Sequence, residues 1–196
     1  QVYAYDAVGN ITSIATNGVT RLTETSSATN RLTSASYDAA GNLRSWNGQT
    51  YEYDRLNMPT RRTVGAEDWL FAYTADDERI WSYRTNLGGF VVTPRDLDGK
   101  VLRKYDAHLG WTTFTDFVYR DGGSLVASES SSGVRTAFHL DHLGTPRIAT
   151  DSSGNPVRFY SYYPYGEELF PALDAQPLRF TGHERDFLAS GGSQPA

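Results

Sequence analysis

The sequence predicts an all-β fold, an antiparallel meander of β-hairpins, from three observations. A Tyr-Asp-x-x-Gly-Asn motif occurs at Tyr5–Asn10 and again at Tyr37–Asn42, and a decayed copy follows at Tyr53–Met58. Between the copies, apolar and polar residues alternate, as in Val19–Thr23 and Thr50–Tyr53, which is the period of a half-buried strand. No stretch carries an extended helical apolar stripe. A short unit that recurs along a chain indicates a repeat architecture.

Each copy of the motif is predicted to form the corner of a hairpin. The aromatic residue ends a strand, and the Asp side chain can accept hydrogen bonds from the following backbone to start a turn. Gly-Asn then supplies the positive backbone angles that a tight reversal needs. Asn17–Gly18 and Asn47–Gly48 lie between strand-like runs and predict two-residue hairpins.

We predict one β domain over residues 1–186, followed by a flexible tail over residues 187–196. Within the domain, residues 1–64 hold the clearest repeats, residues 65–135 hold degenerate hairpins, and residues 136–186 form a third stretch. The longest candidate surface loop covers residues 166–177. Turn signals in the middle stretch occur at residues 76–78, 87–89, 98–99, 120–123 and 131–133.

The third stretch carries an ordered series of motifs. Residues 138–147 read Phe-His-Leu-Asp-His-Leu-Gly-Thr-Pro-Arg, and related segments follow at residues 150–155, 163–167 and 179–186. Together with the Tyr-Asp copies, this series resembles the YD-repeat or Rhs (rearrangement hotspot) family, from its YD repeats to the start of the Rhs repeat-associated core region.

The resemblance implies a curled sheet of hairpins that spirals into a hollow shell. In bacterial toxin complexes such shells enclose a C-terminal toxic segment, and in eukaryotic relatives they serve adhesion; the family is secreted or found at the cell surface. The chain begins at Gln1 inside a repeat, without a signal peptide. It also lacks the family's later Asp-Pro-rich self-cleavage segment, so we expect a fragment of a shell, with neither self-cleavage nor toxin delivery assigned to it.

A fragment of such a sheet is expected to have edge strands with unpaired backbone groups. Three outcomes follow: closure as a barrel or propeller-like unit, edge pairing with a second copy, or aggregation. We favour closure or edge-paired oligomers over aggregation. The expected partners are therefore the chain itself and the remainder of a larger Rhs-type shell.

Composition excludes several classes of site. The chain of 196 residues has no Cys, which excludes disulfides and thiolate metal sites. A formal net charge of −5 without a basic cluster argues against nucleic-acid binding by phosphate neutralisation. No apolar run approaches the length of a membrane span.

The sharpest candidate for chemistry is the segment that contains His139, Asp141 and His142. Two imidazoles and a carboxylate within four positions suit a transition metal such as zinc. This spacing resembles part of the metallo-β-lactamase-like hydrolases, whose full motif has a further His where this chain has Ala137. The alternative function is thus a small metal-dependent hydrolase of esters or lactones, with His183 or Glu184 nearby. The competing interpretation is a turn in which Asp141 caps the reversal at Gly144. Whether the chain is an enzyme stays open, although no cofactor is expected.

Calcium and carbohydrate are further candidate ligands. Asp96 and Asp98 precede a Gly turn and could bind calcium, but a solvated acidic turn explains the same pattern. Aromatic side chains on a sheet can stack on sugar rings, so a carbohydrate-binding module is a second alternative. Its candidate residues are Trp46, Trp69, Trp81 and Trp111. Packing of these rings, and of Tyr160, Tyr162, Tyr163 and Tyr165, across strands is the competing interpretation.

Overall fold

A computed structural model describes the chain as an all-β protein, which confirms the predicted fold class. The regular structure of the described residues consists of sixteen strands and one short 3₁₀ turn, Phe180–Gly182. The described residues contain no α-helix. Several residues lie outside the description, among them Leu87, Asp121, most of the predicted 166–177 loop and the predicted 187–196 tail. The described residues are 1–86, 88–106, 110–120, 122–170 and 179–183.

The first of two compact units covers Gln1–Gly88 and contains nine strands in two groups. The first three strands form an antiparallel sheet, and the next six pair antiparallel in chain order. The strands are β1 (Val2–Tyr5), β2 (Ile11–Thr16), β3 (Val19–Thr23), β4 (Ser36–Tyr37), β5 (Leu43–Trp46), β6 (Gln49–Tyr53), β7 (Pro59–Val64), β8 (Glu67–Tyr73) and β9 (Arg79–Arg84).

The second compact unit begins at Gly89 and contains seven strands, again antiparallel and paired in chain order. Each strand between the two ends of this ladder therefore pairs with the strand before it and the strand after it, as a meander requires. The strands are β10 (Gly89–Val92), β11 (Arg103–Asp106), β12 (Phe114–Tyr119), β13 (Leu125–Ser130), β14 (Arg135–Leu140), β15 (Pro146–Thr150) and β16 (Pro156–Phe159). The prediction of a single domain over residues 1–186 stays a prediction.

One five-residue turn recurs throughout both units. In the copy at Asp38, the N–H of Asp38 donates to the carbonyl of Asn42 (3.0 Å), and the N–H of Gly41 donates to the carbonyl of Asp38 (3.1 Å). The register shifts at Tyr37, immediately before the turn, as in a hairpin with a bulge. The same pair of backbone hydrogen bonds closes twelve turns among the described residues: 6–10, 27–31, 38–42, 54–58, 74–78, 96–100, 120–124, 130–134, 141–145, 151–155, 163–167 and 179–183.

The fourth residue of this turn always has a positive φ. It is Gly in most copies, with φ of 96° at Gly41, and it is Asn30, Asn57 or Asp77 in the others. Gly has no Cβ to clash in this conformation, and Asn and Asp tolerate it better than other side chains do. The Gly of the repeated motif is thus explained by backbone geometry.

The two predicted Asn-Gly hairpins are confirmed. Asn17 and Gly18 have φ of 51° and 78°, and Asn47 and Gly48 have φ of 48° and 73°. Positive φ at both positions is the signature of the hairpin turn whose twist matches that of its strands.

The buried core lies mainly in the second unit. Side chains of four strands, together with one residue before β11 and one after β16, form its cluster. The cluster residues are Val101, Phe117, Leu125, Phe138, Ala149 and Tyr160, and Tyr119, Leu140 and Tyr162 pack against them. Tyr160 and Tyr162 thus pack across strands as predicted, whereas Tyr165 is 58% exposed because it lies within the 163–167 turn.

Three tyrosine hydroxyls donate hydrogen bonds to a backbone carbonyl near an earlier turn. The hydroxyl of Tyr53 donates to the carbonyl of Leu43 (2.9 Å), and the hydroxyl of Tyr73 donates to that of Pro59 (2.7 Å). Tyr119 donates in the same way to Val101 (3.0 Å). Each acceptor directly follows a five-residue turn. Burial, with smaller effects from nearby charges, raises the pKa of Tyr53, so its hydroxyl is protonated and able to donate at neutral pH.

Replacing Tyr53 by Phe is expected to lower the free energy of unfolding by about 1 kcal/mol, because the Leu43 carbonyl loses its donor. Urea denaturation measures the change. The control is Tyr165→Phe at the exposed turn position, for which we expect a change below about 0.5 kcal/mol. Equal effects of the two substitutions would contradict a stabilising role for the Tyr53 hydroxyl.

Candidate functional site

The segment predicted to bind zinc forms one of the five-residue turns. Asp141 follows β14, and its Oδ1 accepts hydrogen bonds from the N–H groups of Leu143 (2.9 Å) and Thr145 (3.0 Å). Its Oδ2 accepts from Nε of Arg147 (2.9 Å). Burial acts to raise the pKa of Asp141, but these three donors outweigh it and hold that pKa below the usual value. This arrangement matches the interpretation of Asp141 as the cap of the reversal at Gly144.

The two histidines beside Asp141 are exposed. His139 lies between Phe138 and Leu140, which pack in the core, so its side chain is on the opposite face of β14. Its Nε2 lies 3.2 Å from Oγ1 of Thr150. Among the described residues, no group of three or more His, Asp or Glu side chains is arranged to hold a metal ion. Glu184 lies outside them, and the zinc site stays a prediction.

The predicted calcium turn has the same architecture. Oδ1 of Asp96 accepts hydrogen bonds from the N–H groups of Asp98 (3.0 Å) and Lys100 (2.8 Å). Nζ of Lys100 lies 3.3 Å from Oδ2 of Asp98. The Asp96 carboxylate thus stabilises the turn, and an ammonium group already lies beside Asp98. Calcium binding here stays a prediction.

Three of the four candidate tryptophans are half-buried and engaged with neighbours. Nε1 of Trp46 donates to Oε1 of Glu24 (2.7 Å). The guanidinium of Arg84 lies 5.5 Å from the ring centre of Trp69. The ring of Trp81 stacks on Tyr83, at 5.9 Å between centroids.

Trp111 differs from the other three because it is 57% exposed. Its ring makes edge-type contacts with Phe90 (5.2 Å between centroids) and Tyr105 (5.9 Å). Arg103 lies 3.9 Å from the ring centre of Phe114 and donates to the Tyr105 hydroxyl (3.0 Å). Trp111 therefore has an exposed indole ring that packs against aromatic neighbours and has polar groups nearby.

The Asn that ends a repeated turn has a role that the sequence analysis missed. Nδ2 of Asn42 donates to Oδ2 of Asp38 (2.9 Å) within its own turn and to Oδ1 of Asn57 (2.8 Å) in a later turn. Asn10 makes the equivalent bonds to Asp6 and Asn30, at 2.8 and 2.6 Å. The sequence feature that could have indicated this link is the Asn at the fourth position of the later turn.

Hydrogen bonds to the turn carboxylates favour their charged form. The side-chain amide of Asn42, followed by its backbone N–H, lowers the pKa of Asp38 from its ordinary value of 3.8. The amide and backbone N–H of Asn10 lower the pKa of Asp6 in the same way. Both carboxylates are therefore ionised at neutral pH and act as acceptors for these donors.

Fold and turn geometry together define the class of the protein. It is a β-hairpin repeat protein in which one bulged five-residue turn, closed by a side-chain cap and a left-handed fourth residue, joins most of the hairpins. No helix of the described residues is long and apolar enough to cross a membrane.

Comparison with known proteins tests the family resemblance. Residues 37–67, which include the turns at Asp38 and Asp54, match the family model described as RHS Repeat. This match and the relatives below confirm the resemblance to the YD-repeat or Rhs family that the sequence analysis found.

Curated relatives align with nearly the whole chain. The tRNA3(Ser)-specific nuclease WapA of Bacillus spizizenii is 28% identical over 94% of this chain and 8% of its own length. Teneurin-1 of Gallus gallus is 27% identical over 84% of this chain and 6% of its own length. The chain therefore spans less than a tenth of the relatives that it matches.

Solved structures share the fold. A crystal structure of TcdB2–TccC3–TEV has a TM-score of 0.72 at 18% identity, covering 94% of this chain and 11% of the other. The Tc holotoxin pore of Photorhabdus luminescens has a TM-score of 0.66 at 18% identity, with the same coverage.

Replacing Asp38 by Asn is expected to lower the melting temperature at pH 7, because the amide has only one acceptor oxygen for the two groups of Asn42. The pKa of Asp38 is lowered in the folded state, so its contribution is present above the unfolded value near 3.8 and is lost as pH falls through the folded value. The difference between wild type and variant should thus shrink below pH 3.8.

Thermal unfolding followed by circular dichroism at pH 7, 5 and 2.5 measures this difference. Asp76→Asn is the matched control, since Asp76 is exposed and lies inside a turn that is capped by Thr74. A difference for Asp38→Asn that stays constant with pH would contradict the role of its charge.

Proposed function

We propose that this chain is a wall segment of an Rhs-type shell, a structural module rather than a catalyst. The observation that carries the proposal is the chain-ordered antiparallel ladder in each unit, in which one turn type and its tyrosine ties repeat. Such a ladder grows by adding hairpins at its end, which suits a wall of arbitrary length. Fold likeness to Tc toxin components supports this role.

In this proposal the rest of the shell is the main partner. The chain corresponds to a small part of much longer relatives, so enclosure of a cargo or adhesion is a property of the longer protein. The chain covers only 8% of the length of the nuclease WapA and 6% of the length of Teneurin-1. Curling of the sheet, or its closure as a barrel or propeller-like unit, would follow from the addition of hairpins.

A strand edge is the proposed point of contact between wall segments. β16 is the last strand of the second unit's ladder, and its Val157 and Phe159 are 56% and 65% exposed. Exposed edge strands recruit further strands through backbone hydrogen bonds, and apolar side chains beside them strengthen the pairing. For the chain in isolation, the proposed partner is a second copy.

Replacing Phe159 by Lys is expected to weaken self-association of the pure chain, because a charge on an edge strand opposes pairing. Sedimentation velocity at rising protein concentration measures this. The control is Val8→Lys, at a 77% exposed turn position, which should associate like wild type. A wild-type chain that stays monomeric over the whole range would contradict edge pairing.

A second candidate function, carbohydrate binding, is favoured by one observation, the exposed ring of Trp111. Apolar faces of sugars stack on such rings, and hydroxyl groups need nearby polar partners. Arg103 and Asp116 are the polar side chains proposed for this role. Nη2 of Arg103 donates to Oδ2 of Asp116 (2.7 Å), and both side chains are about one-third exposed. The site proposed for a sugar is therefore Trp111 with Arg103 and Asp116.

Adding oligosaccharides is expected to change the tryptophan fluorescence of the wild-type chain, and Trp111→Ala should abolish the change. Trp81→Phe is the control, since that ring is half-buried against Tyr83. A response that survives in Trp111→Ala, or no response from any sugar, would contradict the candidate.

A further inference from the structure

A buried ion pair in the second unit lies outside every predicted site. Nε of Arg179 is 2.9 Å from Oε1 of Glu168, and the two residues are only 3% and 5% exposed. Taking opposite charges out of water is unfavourable unless their geometry compensates. A pair of this kind therefore marks one specific arrangement of the chain rather than general packing.

Arg179 is also held by an aromatic ring of the core. Its guanidinium carbon lies 5.3 Å from the ring centre of Tyr160, a core residue that is 7% exposed. A cation over the face of a ring is attracted by the ring quadrupole, more strongly when both are desolvated. The site thus favours a planar cation at this position through two independent contacts.

The next residue, Phe180, fills a space that only glycine leaves open. Its ring packs on Tyr162, at 5.7 Å between centroids. It also covers Gly166, where an added Cβ would lie 2.9 Å from Cδ1 of Phe180. Gly166 is the fourth residue of the 163–167 turn, with φ of 86°.

The backbone of the segment is fixed as well. The N–H of Thr181 donates to Oγ1 of Thr145 (2.9 Å), and Thr145 is fully buried. Gly182 has φ of 75° and completes the five-residue turn from Arg179 to His183. The side-chain cation of Arg179, the ring of Phe180 and the amide of Thr181 are thus each matched by a different group.

We propose that this surface is a recognition site for an Arg-Phe-Thr-Gly segment, and that the chain's own residues 179–182 occupy it as an anchor. The anchor holds residues 179–182 against the core of the second unit. It thereby fixes the point from which the chain continues past His183. The inference is independent of the shell function. The anchor site consists of Thr145, Tyr160, Tyr162, Gly166 and Glu168.

The first test compares two glycines in the same position of the same turn type, in the full-length chain. Gly166→Ala and Gly154→Ala strain the backbone equally, since φ is 86° and 83°, but nothing lies within 4 Å of an added Cβ at Gly154. Hydrogen exchange of the Thr181 amide measures docking. We expect Gly166→Ala to lose at least about tenfold more protection than Gly154→Ala.

The second test removes the charge of Glu168. Glu168→Gln is expected to reduce protection of the Thr181 amide by at least about a hundredfold, because the Arg179 cation is left buried without its partner. The control is Glu129→Gln, which breaks an exposed pair with Arg135 (2.8 Å) in the same unit and should leave that amide unchanged. Retained protection of the β12–β14 amides verifies that each variant is folded.

Equal protection of Thr181 in the Gly166 and Gly154 variants would overturn the proposal. Should Glu168→Gln unfold the second unit, the glycine comparison still decides the question. Protection that depends on protein concentration, with a dimer in sedimentation, would overturn the assignment of the segment to its own chain. Concentration-independent protection together with the expected losses supports it.

Discussion

The rest of the structure depends on one constraint, that the chain must reverse direction repeatedly without leaving backbone groups unsatisfied. The five-residue turn meets it with two backbone hydrogen bonds and, in most copies, a side-chain oxygen that accepts two more N–H groups. The turn closes only if its fourth residue is left-handed. Because the turn sets which residues face each other, it also fixes strand register, and a slip of one residue would exchange the two faces of a strand.

Interactions between successive hairpins form a second level on this framework. The tyrosine hydroxyls bond carbonyls just beyond earlier turns, and the turn asparagines bond one another. The asparagines belong to the repeated motif itself, and each of these tyrosines stands directly before a five-residue turn. A Tyr-Asp-x-x-Gly-Asn copy therefore encodes both its own turn and its attachment to a neighbour, which explains how a unit too small to be stable alone can be used many times.

The local part of the fold can be predicted from the sequence, and the long-range part cannot. Turns at Asp38 and Asn47 follow from residue types that tolerate positive φ, so their positions are visible in any short window. The Tyr53–Leu43 bond spans ten residues and depends on the reach of a folded hairpin. No periodic pattern in the chain indicates the pairing of Arg179 with Glu168.

The same division applies to the candidate sites. The role of Asp141 as a turn cap is predictable because Asp before a Gly reversal has a local explanation, and its hydrogen bonds match. All four tryptophans are equivalent as sequence candidates. Only packing distinguishes Trp111, since exposure depends on which neighbours the fold brings beside each ring.

Strand pairing in each unit joins only neighbours in the chain, and this has a mechanical consequence. A force applied along the chain from one end loads a single hairpin at a time, so the hydrogen bonds of that hairpin break before the next one is stressed. The resistance at any moment is that of one hairpin and its ties, however many hairpins remain. Such a sheet peels in order from its end, instead of rupturing as a whole.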